Sequence, residues 1–294
     1  MSAQADNVCQ SAAEMCTAGA GSLIAGRTAG LILWWRVHPS DAHKQDPRNL
    51  WLNTARIDRQ GRFIVDFSIP PGTHDVRFVD LVEVERQAGI VFAHRCLGVA
   101  DDAEFVLSDI SLQLSPDIRW QSRRGLSGTI QVSVADPHAT AIPLRRATMD
   151  FSIRIHGQKS GRGRAIVRFL PAKLYARIRE KSLASTTHLP ENAWPKRPRQ
   201  DAVIVDTRDS LIEDHSADHV PGMAIAAAIE RVAADLDERA LRGLSLTFRE
   251  YLEHSLPTVL CVESVHDGEM QGTVQQAGVT KAVFSGLMNT HGNQ

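Results

Sequence analysis

"FVDLVEVERQAGIVFAHRCLG" occupies residues 78–98, and its reading decides how the flanking chain folds. Val79, Val82, Arg86, Gly89 and Ile90 recur at helical spacing, and Leu81, Val84, Ala88 and Val91 fill the flanks. A helix apolar over most of its circumference has no face to give to water, so burial on nearly all sides is expected. Gly98 is placed to end it, because glycine takes the left-handed cap conformation without a Cβ clash. A single buried helix calls for a sheet that wraps around it.

The neighbouring segments supply such a sheet. "LILWWRVH" (31–38) is strand-like, and "RFIVDFSIP" (62–70) alternates Phe63, Val65, Phe67 and Ile69 with other residues. "PPGTHD" then breaks the strand. Beyond the helix, "EFVLSDISLQLSP" (104–116) and "GTIQVSVADP" (128–137) read as strands. The same order then recurs. "ATMDFSIRIHG" (147–157) and "GRAIVRFLP" (163–171) are strands joined through "QKSGRG" as the turn, "PAKLYARIREKSL" (171–183) is a short helix, and 185–200 is loop. "DAVIVD" (201–206) is a strand, and "MAIAAAIERVAADLDERALRGL" (223–244) is a long Ala-rich helix. Four strands follow, at 244–252, 258–266, 268–278 and 281–288. The expected fold is α+β, a tandem hotdog in which each repeat wraps an antiparallel sheet around one central helix. The expected divisions are a flexible leader at 1–28, a first repeat at 29–138 and a second at 139–294.

Composition removes several function classes. The chain has 294 residues, a formal net charge of −1 and 43% hydrophobic residues, so no global field favours nucleic acid or an anionic membrane. The basic run "WPKRPRQ" (194–200) is short and broken by proline, which suits a solvated loop. No stretch reaches 18 apolar residues, and the first 28 lack a signal-peptide pattern, so a cytoplasmic protein is expected. The four cysteines, Cys9, Cys16, Cys96 and Cys261, form no CxxC pair. HExxH spacing, a P-loop and a dinucleotide fingerprint are all absent.

The chemistry-bearing stretch is "DHSADHVPGM" (214–223). Asp214, His215, Asp218 and His219 are the residue types of a metal site. However, the residue before Pro221 avoids helical geometry, so the two histidines do not align on a helix. The stretch reads as a loop leading into the second long helix, with Asp218 as cap or loop acceptor and His219 as an acid–base or hydrogen-bonding group. No metal and no other cofactor is expected.

That motif, followed by a long helix, resembles the A-factor biosynthesis hotdog family, the AfsA-type γ-butyrolactone synthases. Glu83, Arg86-Gln87-Ala88-Gly89 and Ala93-His94 match the family's first central helix, "YARIR" (175–179) its midsection and "QQAG" (275–278) its final strands. The resemblance covers roughly residues 30–290. It implies an acyltransferase that joins a β-ketoacyl group from acyl carrier protein to dihydroxyacetone phosphate, towards a γ-butyrolactone or butenolide signal of secondary metabolism. A dehydratase, a thioesterase, or a non-catalytic acyl-binding or regulatory homologue are the alternatives on the same scaffold. Tandem repeats allow a monomer, with a homodimer as the other possibility.

Such a transfer needs a base for the alcohol, donors for the thioester oxyanion and cations for the phosphate. The resemblance implies Glu83 as general base. Arg86 and Gln87, one turn along the same face, are joined to it as catalytic residues. His94, further along that helix, is expected to be a core histidine, and Glu85 to face solvent or the other repeat. His219 is the fourth catalytic candidate, and Gly222, Met223, Glu230 and Arg231 are the substrate-binding candidates. The second helix departs from the pattern: Ala227 stands where the family has a Glu, Glu230 where it has an Arg, and Arg231 where it has a Gln. Three explanations stand open. There is one pocket centred on Glu83, or a shifted use of Glu230 and Arg231, or altered or absent catalysis.

Overall fold

A computed structural model describes residues 32–135, 145–186, 202–205, 218–237 and 240–289. Helix α1 spans Phe78–Leu97, and every side chain from Phe78 to Ala93 except Arg86 is buried. Fully burying a large apolar side chain contributes roughly 1.5–3 kcal/mol, so the sheet around α1 holds it far more than its caps do. Gly98, at φ +66°, closes the helix, and the Val99 N–H turns back to Ala93 O at 3.1 Å.

The strands ahead of α1 are β1 (Leu33–Arg36), β2 (Leu52–Ile57) and β3 (Phe63–Ile69). After it come β4 (Ala103–Leu114), β5 (Leu126–Val134), β6 (Arg146–Ile155) and β7 (Gln158–Pro171). Helix α2 (Ala172–Thr186), strand β8 (Ala202–Ile204) and helix α3 (Gly222–Asp237) follow. The chain continues with β9 (Leu241–Phe248), β10 (Val259–His266), β11 (Glu269–Gln276) and β12 (Val279–Met288). All twelve strands form one antiparallel sheet in the order β1-β2-β3-β5-β6-β7-β4-β9-β12-β11-β10-β8. The strand after each central helix, β4 or β9, sits at the middle and pairs with its counterpart, while α1 and α3 pack against each other. This is the tandem hotdog expected from the pattern.

Several details differ from the sequence reading. β6 and β7 lie between β5 and β4 in the sheet, so residues 146–171 pair among the strands of the first repeat, whereas the sequence reading set them in 139–294. β5 and β6 pair in unbroken register from Gly128↔Ile155 to Val134↔Met149, and β6 pairs with β7 with one shift at Ile153/Arg154. The β6–β7 turn is His156-Gly157, with φ +51° and +77°, a pair that suits a two-residue hairpin. "QKSGRG" belongs to β7 itself, where a Cβ on Gly161 would press on Leu114 and one on Gly163 would collide with the Glu85 carboxyl. The final strands begin at Leu241, inside the stretch expected to be helix, because the 241–246 burial pattern fits the sheet edge offered by β12. β2 carried no usable alternation, since only Leu52 and Ala55 of its six residues are buried.

Candidate functional site

Glu83 sits in the second turn of α1, 5% exposed, within a ring of donors. Arg86 Nε and Nη2 donate to its two oxygens at 2.8 and 2.9 Å, and Gln87 Nε2 donates at 2.9 Å. Lys44 Nζ, delivered by the loop after the 3-10 turn Pro39–Ala42, lies 3.0 Å from Oε1. Gln87 is fixed in turn: its amide N donates to Asn49 O at 2.9 Å and its carbonyl accepts from the Trp51 N–H at 3.1 Å. Burial alone would raise the Glu83 pKa, but the charge and hydrogen bonds of Arg86, then Lys44 and Gln87, bring it down to about 2. A carboxylate held that low is a weak base at neutral pH. Its evident work is to orient two cations, and the cluster of Lys44, Arg86 and Glu83 keeps a net positive charge suited to an anion. The Lys44 side chain is sealed in and that of Arg86 is a quarter exposed.

A second cluster forms at the approach to α3. Tyr175 and Arg179, at i and i+4, share one face of α2. The Tyr175 hydroxyl donates to Asp218 Oδ1 at 2.7 Å, and Arg179 Nε donates to Oδ2 at 2.8 Å. Arg179 also grips Glu253 through both terminal nitrogens, at 2.8 and 2.7 Å, and lies over the Tyr251 ring at 4.7 Å. Ser182 Oγ donates to Glu253 at 3.0 Å, and Gln276 pins the Glu253 backbone at both its N–H and its carbonyl. Burial raises the Asp218 pKa, but hydrogen bonds from His219, Tyr175 and Arg179 outweigh it and hold the carboxyl at about 2. Burial and then the bond to Asp218 push the Tyr175 hydroxyl up. His219 Nδ1 lies 2.6 Å from Asp218 Oδ1, which fixes the orientation of the ring.

The remaining candidates fall in different places. Glu83, Arg86 and Gln87 come together as the spacing implied, while His219, Gly222 and Met223 stand in sequence at the start of α3. Gly222 and Met223 open α3 with backbone N–H groups that have no protein acceptor among the described residues. Glu230 does not join either cluster. Its oxygens accept the Phe78 and Val79 N–H groups of α1 at 2.6 and 3.0 Å, and burial raises its pKa in spite of those bonds. Arg231 is exposed. Glu85 faces neither solvent nor a polar partner: it is fully buried, both oxygens lack hydrogen bonds, and it packs on the β7 backbone at Gly163. The helical period explains the correction, since Glu85 lies only about 40° around α1 from Leu81 and about 60° from Ala88, both buried, and the wrapped sheet covers that side. His94 stacks near His43, with their Nε2 atoms 2.8 Å apart, and its Nδ1 meets Val99 O at 2.9 Å. Asp214 and His215 lie outside the described residues. Sequence reasoning missed Lys44, for which nothing in the sequence gave a signal, and Tyr175, Arg179 and Glu253. The i, i+4 spacing of Tyr175 and Arg179 was the available clue.

Residues 34–171 match the A-factor biosynthesis hotdog domain, which spans the first unit from β1 to the end of β7. A 2-oxo-3-(phosphooxy)propyl 3-oxoalkanoate synthase of Streptomyces virginiae is 23% identical over 234 residues, covering 71% of this chain and 80% of the relative. Among solved structures, the 12:0-ACP thioesterase from Umbellularia californica aligns at TM-score 0.53 and 11% identity, covering 77% of this chain and 96% of that one. An acyl-ACP thioesterase from Bacteroides thetaiotaomicron aligns at 0.52 and 13%, covering 76% and 96%. At such identities these two structures speak for the fold alone.

Proposed function

We propose that this chain, whose first unit carries an A-factor biosynthesis hotdog domain, transfers a β-ketoacyl group from acyl carrier protein to the hydroxyl of dihydroxyacetone phosphate. The observation that carries the reading is the intact Glu83–Arg86–Gln87–Lys44 cluster inside the matched unit. The Streptomyces virginiae relative is named for an ester that joins a phosphooxypropyl group to a 3-oxoalkanoate, and a cationic cluster is what the phosphate of such a substrate requires.

In this reading Glu83 is a positioning residue that aims the partly exposed Arg86 at the phosphate, while the buried Lys44 adds positive charge from behind. His219, oriented by Asp218, takes the proton of the acceptor hydroxyl as its oxygen attacks the thioester carbonyl. The Gly222 and Met223 N–H groups receive the oxyanion, and collapse breaks the C–S bond, with the proton passing to the departing thiol. The phosphorylated β-ketoester is then available for closure towards a butenolide or γ-butyrolactone signal. Among the described residues no helix is long and apolar enough to cross a membrane.

The test is incubation of the protein with a β-ketoacyl thioester and dihydroxyacetone phosphate, followed by mass spectrometry. A new phosphorylated ester is expected, with its rate reduced about 10²–10⁴-fold in His219→Ala. Free acid or an enoyl product without acceptor would point instead to a thioesterase or dehydratase. Full activity in His219→Ala would remove that residue from the mechanism.

A further inference from the structure

We infer that Glu230 is a built-in anion that closes the N-terminus of α1, leaving the chain one acyl-transfer site where its tandem architecture provides room for two. The inference rests on the function proposed above for its consequence, but on α1 and α3 alone for its geometry.

The first turn of an α-helix has donors without intrahelical acceptors, and the helix dipole adds positive potential there. In α1 every one of these donors is occupied. Arg77 N–H donates to the Asp80 carboxylate at 2.8 Å, Phe78 and Val79 N–H to Glu230, and Asp80 N–H to Arg77 O at 3.2 Å. An incoming oxyanion finds no donor left and meets a carboxylate already in place. The equivalent donors of α3, at Gly222 and Met223, carry no such occupant among the described residues.

A second observation points the same way. Counted from the first residue of each helix, Glu83 corresponds to Ala227 and Arg86 to Glu230. The unit with the carboxylate and its guanidinium thus stands opposite a unit with a methyl group and an acid at the corresponding positions. Ala227 removes the group that would orient an arginine, and Glu230 reverses the charge that would receive a phosphate. Both differences fall in one of the two quasi-equivalent positions, and the acid at 230 is the one seated on α1.

The experiment follows the Phe78 and Val79 amide resonances by NMR while inorganic phosphate is titrated into the full chain. In wild type they are expected to stay still. In Glu230→Ala they are expected to move saturably, because the donors are then free to take an anion. Glu230→Gln keeps the shape and one acceptor oxygen, so at least one of the two amides is expected to respond should the alanine variant fail to fold. A saturable shift in wild type, or still amides in a folded Glu230→Ala or Glu230→Gln, overturns the inference. In parallel, native mass spectrometry with a hydrolysis-resistant β-ketoacyl pantetheine thioether should give one ligand per chain in wild type and two in Glu230→Ala. Two in wild type, or one in the folded variant, also overturns it. If wild type binds none and makes no ester, the proposed function falls while the amide titration still decides whether Glu230 closes α1.

Discussion

Two residues apart on α1, Glu83 and Glu85 are both buried, yet the first is ringed by donors and the second has none. Burial pushes the Glu85 carboxyl well above its ordinary value near 4.5, so the folded chain holds its proton and the unfolded chain releases it. The stability tied to that proton is fully present below about pH 4.5 and is lost as pH rises through the folded pKa. Glu85→Leu, which puts in this place an aliphatic chain like the buried Ile229 of α3, should raise stability at pH 8 by about 1–3 kcal/mol and by less at pH 5. Thermal melts at the two values would read this as roughly 2–4 °C per kcal/mol, and an equal shift at both would refute it. Glu83 has the opposite sign. Its pKa near 2 means that its contribution is present above about 4.5 and lost as pH falls towards 2. Glu83→Gln takes the carboxylate from beside the buried Lys44 ammonium and the Arg86 guanidinium and should cost about 3–5 kcal/mol at pH 7, shrinking by pH 3, as urea titrations would register. The helical spacing made Glu83, Arg86 and Gln87 legible as a group. It was silent on Lys44, which reaches the cluster from a distant loop, and on the electrostatic contrast with Glu85, which depends on what the sheet places opposite.

Among the elements, α2 shows how an amphipathic helix of modest apolar content is held. It lies outside the sheet, its Leu174, Ile178 and Leu183 are exposed, and its anchor is the Arg179 guanidinium shared between Asp218 and Glu253. Arg179→Ala should therefore release α2 and leave Glu253 buried without its cation, at about 3–5 kcal/mol. Limited proteolysis should then cut within 172–186, and hydrogen exchange there should approach that of an open chain; unchanged protection would show that packing and not the guanidinium holds the helix. Arg179→Lys keeps the charge but loses the fork, and should fall between the two. The elements themselves were mostly legible. The apolar girth of α1 and the strict alternation of β3 announced their burial, and these two elements appear where the pattern put them. The errors cluster where local rules give no preference. A short β2 with two buried residues has no alternation to read, and "QKSGRG" looks like a turn until the His156-Gly157 pair takes that task and the glycines serve close packing.

For the whole molecule, the question is whether the two units fold as one. The sheet is continuous across them through β4 residues Asp109–Gln113 paired with β9 residues Thr247–Gly243, and Thr247 Oγ1 donates to Asp109 at 2.7 Å. The central helices add a second link, because α1 takes its N-terminal cap from Glu230 of α3. Cutting the chain at the end of β7 would leave β4 with an open edge along that stretch and α1 with two unsatisfied donors. The pattern of apolar helices suggested two repeats but carried no information on this coupling, which arises from pairing and capping between residues far apart in sequence. The full chain should accordingly unfold in one cooperative transition, with calorimetric and van't Hoff enthalpies in agreement, and run as a monomer because its own second unit already occupies the β4 edge. A piece ending at Pro171 should not remain a folded monomer. It should associate through the bare β4 edge or aggregate, as light scattering after size exclusion would show. Two separate transitions in the full chain, or a stable monomeric first unit, would mean that the β4–β9 seam and the Glu230 cap contribute little, and each unit would then have to be treated as a domain in its own right.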